Sequence, residues 1–166
     1  MERNKINIID LPKYKDDRGF LTSYWKSNSD YPEFVEDRYS YSHKHVLRGL
    51  HGDSKIGKLI VPIYGVVQFF AKCYNKDSKY FGEEVLLELD YQDPQAVYLP
   101  PHYINGHLCL SKECIFLYKW TDYYNGPDEQ VTVRYDDPSL TVEWDSPFFV
   151  LSERDKKGIL YEDLIA

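Results

Sequence analysis

Val66-Val67-Gln68-Phe69-Phe70-Ala71-Lys72-Cys73-Tyr74 is the stretch that decides the architecture. Val67, Phe69, Ala71 and Cys73 fall on one side of an extended chain, and Gln68, Lys72 and Tyr74 on the other. That alternation is the signature of a strand with one face on a core, so Cys73 is expected to point inward. Residues 114–120 make the companion case. Phe116, Tyr118 and Trp120 share one face, opposite Ile115, Leu117 and Lys119, and both faces stay apolar up to Lys119, as in a strand covered on two sides.

Working outward, strand-type segments occupy residues 6–10, 20–25, 38–42, 46–51, 58–64, 83–90, 96–99, 107–110, 131–135 and 140–144. Turn residues separate them: Tyr64-Gly65, Asn75-Lys76-Asp77-Ser78, Asp93-Pro94, Pro100-Pro101, Asn125-Gly126-Pro127 and Asp137-Pro138. Residues 15–19 read as a polar turn, 27–31 as a loop, 32–37 as a helical turn and 156–166 as a surface element. Many short strands at this spacing predict an all-β sandwich or barrel, expected as one domain over residues 1–166. No repeat or linker interrupts it.

Composition narrows the function. Hydrophobic residues at 43% and charged residues at 28% are those of a globular protein. Aromatic content reaches 16%, with 16 tyrosines, which suits half-buried strand faces and a polar aromatic cleft. A net charge of -7 without a basic tract argues against nucleic-acid binding. Cys73, Cys109 and Cys114 are odd in number and lie in apolar surroundings, so buried free thiols in a reducing compartment are expected. The N-terminal residues lack the apolar run of a signal peptide, and no segment approaches the ~18 apolar residues of a membrane span. A cytoplasmic protein without a membrane partner is the expectation.

The chemistry gathers between residues 46 and 58. Arg48, His51 and Lys58 lie there on apolar, extended flanks joined by a glycine-containing loop, a cluster suited to an anionic or enolisable substrate. Nucleophile-elbow, phosphate-loop and dinucleotide fingerprints are absent. His43 and His45 could chelate in principle, but no carboxylate follows at ligand spacing, so solvated loop histidines and no metal are expected. A lone histidine is more often structural than catalytic. The company of His51 raises the odds: Lys58 on the next strand, Tyr118 on a later aromatic strand and Asp155 in a late apolar segment. A carboxylate-held histidine is a good general base, a facing tyrosine can return a proton, and a lysine can stabilise an enolate oxygen.

Several motifs occur in a telling order. They are Asp16-Asp17-Arg18-Gly19-Phe20, Leu47-Arg48-Gly49-Leu50-His51, Gly57-Lys58-Leu59, Lys76-Asp77-Ser78, Leu99-Pro100, Tyr118-Lys119-x-Thr121-Asp122-x-Tyr124, Asp136-Asp137-Pro138, Val142-Glu143-Trp144 and Leu151-Ser152-Glu153-Arg154-Asp155. Over residues 8–158 the chain resembles the dTDP-4-dehydrorhamnose 3,5-epimerase family. The resemblance implies a cupin-type jelly-roll β sandwich with a few short helical turns, usually a homodimer, acting on nucleotide-linked 4-keto sugars without a metal or organic cofactor. It implies His51 as the base, Asp155 as its orienting partner, Lys58 at the enolate oxygen and Tyr118 as the acid on the opposite face. It also implies Arg48 at the diphosphate and Arg18 at the nucleotide, across a dimer interface, with Asn105, His107, Tyr124 and Arg38 in the substrate pocket.

The chain departs from the rhamnose-pathway pattern in carrying Asn105-Gly106 for a His-Gly pair, with His107 following. Cys73 stands for an aspartate, and Glu36 and Arg38 for a Gln-x-Asn pair. In His51-Gly52-Asp53 and in Asn105 near the later His107 it is similar to the subgroup that epimerises GDP-linked 4-keto heptoses for bacterial capsules. The expected partner is therefore a GDP- or dTDP-linked 4-keto sugar of capsule or lipopolysaccharide synthesis. A rhamnose-pathway epimerase, a 3,4-ketoisomerase and a silent sugar-nucleotide binding module are the alternatives.

Overall fold

The alternating segment forms β7 (Val66–Cys73). It lies in a sheet ordered β12 (Val131–Thr132), β5 (Leu47–Gly52), β10 (Tyr103–Cys109), β7 and β8 (Glu84–Asp90). A second sheet is ordered β1 (Asn7–Asp10), β9 (Gln95–Leu99), β6 (Lys58–Tyr64), β11 (Glu113–Trp120) and β4 (Glu36–His43). All pairings within the sheets are antiparallel. These are the elements of a computed structural model that describes residues 2–27 and 31–166.

The inward face of β7 does what its pattern requires. Val67, Phe69, Ala71 and Cys73 pack against Ile60, Val97, Cys114 and Phe116 of the facing sheet. Phe69 and Phe116 approach at 6.1 Å between ring centroids across the gap. At roughly 2 to 3 kcal/mol for each large side chain buried, this seam is what joins the two sheets into a sandwich. The outer face of β7 is covered too. Phe70 packs with Leu50, Ile104, Val133, Leu140 and Tyr161, and Trp144 sets its edge against the Phe70 ring. All three cysteines are free and buried.

Several expected elements differ. Residues 140–144 form a cover strip rather than a strand, held by side chains: Gln68 Nε2 donates to the Glu143 carbonyl, and Trp144 Nε1 to that of Tyr135. Only Val131 and Thr132 of the 131–135 segment enter a ladder, because Val133 turns to bridge Ile159. The helical turn expected at 32–37 is extended chain, with the Val35 amide on the Trp120 carbonyl and β4 pairing residue by residue with β11 from Glu36 onward. A ladder of that length outweighs a single isolated helical turn.

The polar turn at 15–19 belongs to a hairpin of β2 (Lys13–Asp16) and β3 (Gly19–Thr22). Alternation could not reveal β2, since every one of its residues is exposed. Of the loop expected at 27–31, residues 28–30 lie outside the described residues. The tail is less superficial than expected, for Tyr161 in the short helix α1 (Tyr161–Leu164) is buried and donates its hydroxyl to the Cys73 carbonyl. Short 3₁₀ turns at Pro127–Glu129 and Asp155–Lys157 complete the helical content among the described residues. Among the described residues no helix is long and apolar enough to cross a membrane.

Candidate active site

Along a regular strand Arg48 and His51, three residues apart, would face opposite sides. Both line one cavity of about 400 Å³ between the sheets. The reason is a bulge: Arg48 pairs with His107 and His51 with Asn105, so Gly49 and Leu50 together oppose only Gly106. The extra residue turns His51 inward and sends Leu50 into the outer cluster. Glycine is required on both strands. Gly49 has φ 128°, and a Cβ there would sit 2.7 Å from Gly106 Cα; one on Gly106 would sit 2.7 Å from the Arg48 carbonyl oxygen.

His51 Nε2 lies 2.6 Å from Asp155 Oδ1, and the carboxylate is 4% exposed while the imidazole is 26% exposed. Burial pulls the Asp155 carboxyl upward, but the His51 hydrogen bond and charge, with help from Ser152 and the Gly49 amide, bring it below its ordinary value. An ionised carboxylate on Nε2 fixes the proton there and leaves Nδ1 as the basic nitrogen. Asn105 steadies the same histidine by donating Nδ2 to the His51 carbonyl at 2.9 Å.

The facing wall is regular where it meets the cavity, from Phe116 to Trp120. Trp120 pairs with Lys58 on one side and Glu36 on the other, and Tyr118 pairs with Arg38, so period-two alternation alone brings Lys58, Tyr118, Trp120 and Arg38 to the cavity. Burial pushes the Lys58 ammonium down to about 8, with Asp53 holding it up and Arg154 pressing it further down. Lys58 Nζ lies 5.6 Å from the Trp120 ring centroid. Burial likewise pushes the Tyr118 phenol up to about 12, so it keeps its proton. Its hydroxyl is 3.4 Å from Ser40 Oγ.

Cations ring the opening. Arg48 donates Nε to Ser42 Oγ at 2.9 Å and a terminal nitrogen to the Tyr41 carbonyl. Arg38 lies over Tyr124 and Trp120, 4.5 and 5.0 Å from their centroids. Arg154 donates Nε to Thr132 Oγ1 at 2.8 Å. Three guanidinium groups and an ammonium in one cavity suit a ligand with a multiply charged anionic part.

Every expected site residue except Arg18 lines this cavity. Arg18 sits on the β2–β3 hairpin, fully exposed and paired with Asp16. Cys73 lies in the core and lines a different cavity, so the carboxylate acting on Lys58 is Asp53, whose Oδ1 is held by the Lys55 and Ile56 amides. Sequence reasoning missed Trp120 and Arg154 as pocket residues. Trp120 could have been found from its shared face with Tyr118; Arg154 carries no signal beyond its place beside Asp155. His45 is occupied structurally, with Nδ1 2.7 Å from Ser146 Oγ.

A family model described as dTDP-4-dehydrorhamnose 3,5-epimerase matches residues 3–163. The dTDP-4-dehydrorhamnose 3,5-epimerase of Salmonella typhimurium is 32% identical over 162 residues, covering 92% of this chain and 86% of the relative. That of Pseudomonas aeruginosa is 32% identical over 179 residues, covering 98% and 97%. The crystal structure of the dTDP-6-deoxy-D-glucose-3,5-epimerase of Legionella pneumophila in complex with dTDP-4-keto-L-rhamnose matches with a TM-score of 0.87 at 30% identity, over 98% of this chain and 90% of that one. The jelly-roll sandwich and these matches together mean that the chain belongs to the dTDP-4-dehydrorhamnose 3,5-epimerase family, a family of isomerases.

Proposed function

We propose that the chain inverts C3, C5 or both in a dTDP-linked 4-keto-6-deoxy sugar. The observation that carries this reading is the separation of base and acid: His51, held by Asp155, stands on the bulged wall, and Tyr118 stands on the regular wall opposite. A 4-keto group acidifies the protons on both neighbouring carbons. His51 Nδ1 removes one, and the negative charge moves onto the C4 oxygen, where the Lys58 ammonium stabilises it. Tyr118 then delivers its proton from the other face, and the centre inverts. The transfer needs the phenol protonated and the lysine charged: burial favours the first, with Tyr118 pushed up to about 12, and leaves the second mostly in place at neutral pH, with Lys58 lowered only to about 8.

Arg48, Arg38 and Arg154 are assigned to the diphosphate and nucleotide end. A GDP-linked heptose, the sugar nucleotide that the Asn105 and His107 positions first suggested, has no support among the relatives above, whose names carry dTDP. Thymidine diphosphate is therefore the nucleotide in this proposal, and guanosine diphosphate is the competing arm of its test. The proposal includes a homodimer. The β2–β3 hairpin stands outside both sheets with Tyr14 and Leu21 exposed, which fits delivery of Arg18 to the cavity of a second copy. Buried free thiols and a nucleotide-sugar substrate fit the cytoplasm.

Incubation with dTDP-4-keto-6-deoxyglucose in deuterated water tests the reading. Mass gain at one or two carbons is expected, with the 4-keto group unmoved by NMR. No deuterium uptake from dTDP- or GDP-linked 4-keto sugars would sink it, and uptake from the GDP-linked sugars alone would reverse the nucleotide assignment.

A further inference from the structure

Among the described residues, the buried side-chain atoms with no hydrogen-bond partner are Thr22 Oγ1, Trp25 Nε1, His107 Nε2 and Trp120 Nε1. The last two belong to residues that line the candidate active cavity, His107 on β10 and Trp120 on β11 of the facing sheet. Buried polar atoms are paired in the great majority of cases, because an orphan gives up its hydration and receives nothing in return. Two orphans on the facing walls of one cavity call for partners on its ligand.

The proposed proton transfers use neither ring. His107 pairs with Arg48 on β5 and Phe69 on β7, is 2% exposed, and stacks on Phe116 at 4.3 Å between centroids. Burial, with Arg48 and His51 beside it, pushes its imidazole down to about 3. It stays neutral, so it is no second base; it offers one N–H and one lone pair. The Trp120 ring lies within 5.6 Å of Lys58 Nζ and 5.0 Å of the Arg38 guanidinium, and its indole N–H can only donate.

We propose that the ring nitrogens of His107 and Trp120 hydrogen-bond hydroxyl groups of the sugar from opposite walls, selecting a hydroxylated 4-keto pyranose and setting which carbon meets His51. The proposal rests on the sugar-nucleotide reading of this cavity. Trp120 donates to a hydroxyl oxygen, and His107 either donates its N–H to a hydroxyl oxygen or accepts a hydrogen bond from a hydroxyl O–H. A site with buried groups waiting for hydroxyls discriminates strongly, since an analogue lacking one leaves the protein group unpaired.

The test compares calorimetric titration with dTDP alone and with a dTDP-hexose that lacks the 4-keto group and is not turned over. The unaltered protein should bind the dTDP-hexose more tightly than dTDP; equal affinity overturns the proposal. His107→Phe keeps an aromatic ring against Phe116 and removes both nitrogens. It should leave dTDP affinity unchanged and weaken the dTDP-hexose by about two- to tenfold, the worth of one neutral hydrogen bond. Its melting temperature should not fall, because an orphan has been removed. His107→Gln, which keeps a donor and an acceptor, should recover part of the loss. Trp120→Phe repeats the comparison for the other wall. Equal losses for dTDP and dTDP-hexose, or no loss for either, overturn the assignment. Because binding is read without turnover, a protein that binds the dTDP-hexose but fails deuterium exchange would sink the epimerase reading while this comparison still stands or falls alone.

Discussion

The two walls of the cavity are built by opposite means. On β6, β11 and β4 the register shifts only between Ile115 and Phe116, away from the site; from Phe116 to Trp120 it is regular, and alternation there brings Lys58, Tyr118, Trp120 and Arg38 to one face. On β5 and β10 the register breaks, and only the bulge at Gly49, Leu50 and Gly106 lets Arg48 and His51 share a face. The difference teaches where precision is stored. The regular wall depends on side chains that could be exchanged singly, whereas the bulged wall depends on two glycine backbones in contact, with no room for a Cβ.

Substitutions on the two walls should therefore fail differently. His51→Asn removes the base, and the largest effect is expected there: a loss of deuterium exchange by about 10² to 10⁴, the usual contribution of a positioned base. Exchange at the unaltered rate in this variant would remove His51 from its role. Tyr118→Phe, on the other wall, should let exchange continue within about tenfold of normal while slowing inversion by about a hundredfold, because only the returning proton is lost. Product stereochemistry read by NMR beside deuterium content separates the two. Parallel losses of both signals would show that the walls do not divide the work.

Gly106→Ala tests the bulge itself. Its new Cβ would meet the Arg48 carbonyl at 2.7 Å and Leu50 Cδ2 at 2.8 Å, so backbone must move. A cost of about 1 to 3 kcal/mol is expected, a fall of several degrees in melting temperature. That leaves most molecules folded at assay temperature, given ordinary stabilities of about 5 to 15 kcal/mol. Any drop in turnover measured there reports misplacement of Arg48 and His51. A variant with lower stability and full turnover would mean that the bulge holds the fold but not the site.

The same contrast explains what could be read from the sequence. The regular wall was legible: the shared face of Phe116, Tyr118 and Trp120 follows from alternation, and so does the inward set on β7. His51 and Asp155 were found through motif order and not through spacing, since alternation places Arg48 and His51 on opposite faces and only an unseen bulge reverses that. Asp53 escaped notice because it acts on Lys58 as a fixed charge, with its own hydrogen bonds kept inside its loop. The exposed hairpin and the cover strip at 140–144 were misread for opposite reasons: β2 buries neither face, whereas Leu140, Val142 and Trp144 do alternate onto the outer cluster in a segment that joins no ladder. Nor could any pattern show that two ring nitrogens lack partners, which is a property of the assembled cavity.

The smallest expected effect is a change with pH, and it comes from the regular wall. Lys58 is 5% exposed, and burial pushes its ammonium down from 10.5 to about 8. The enolate needs the charged form, so kcat/KM should fall as pH rises through 8, by about twofold at that pH and about tenfold one unit above it. Stability should move the other way. Above pH 8 the folded chain has released the Lys58 proton while the unfolded chain, with an ordinary lysine, still holds it, and stability rises with pH wherever the unfolded state binds more protons. Between about pH 8 and 10 denaturant titrations should therefore show a gain that Lys58→Met lacks. Because the bulged wall carries no lysine, loss of activity with no such gain would assign the alkaline limb to a group other than Lys58.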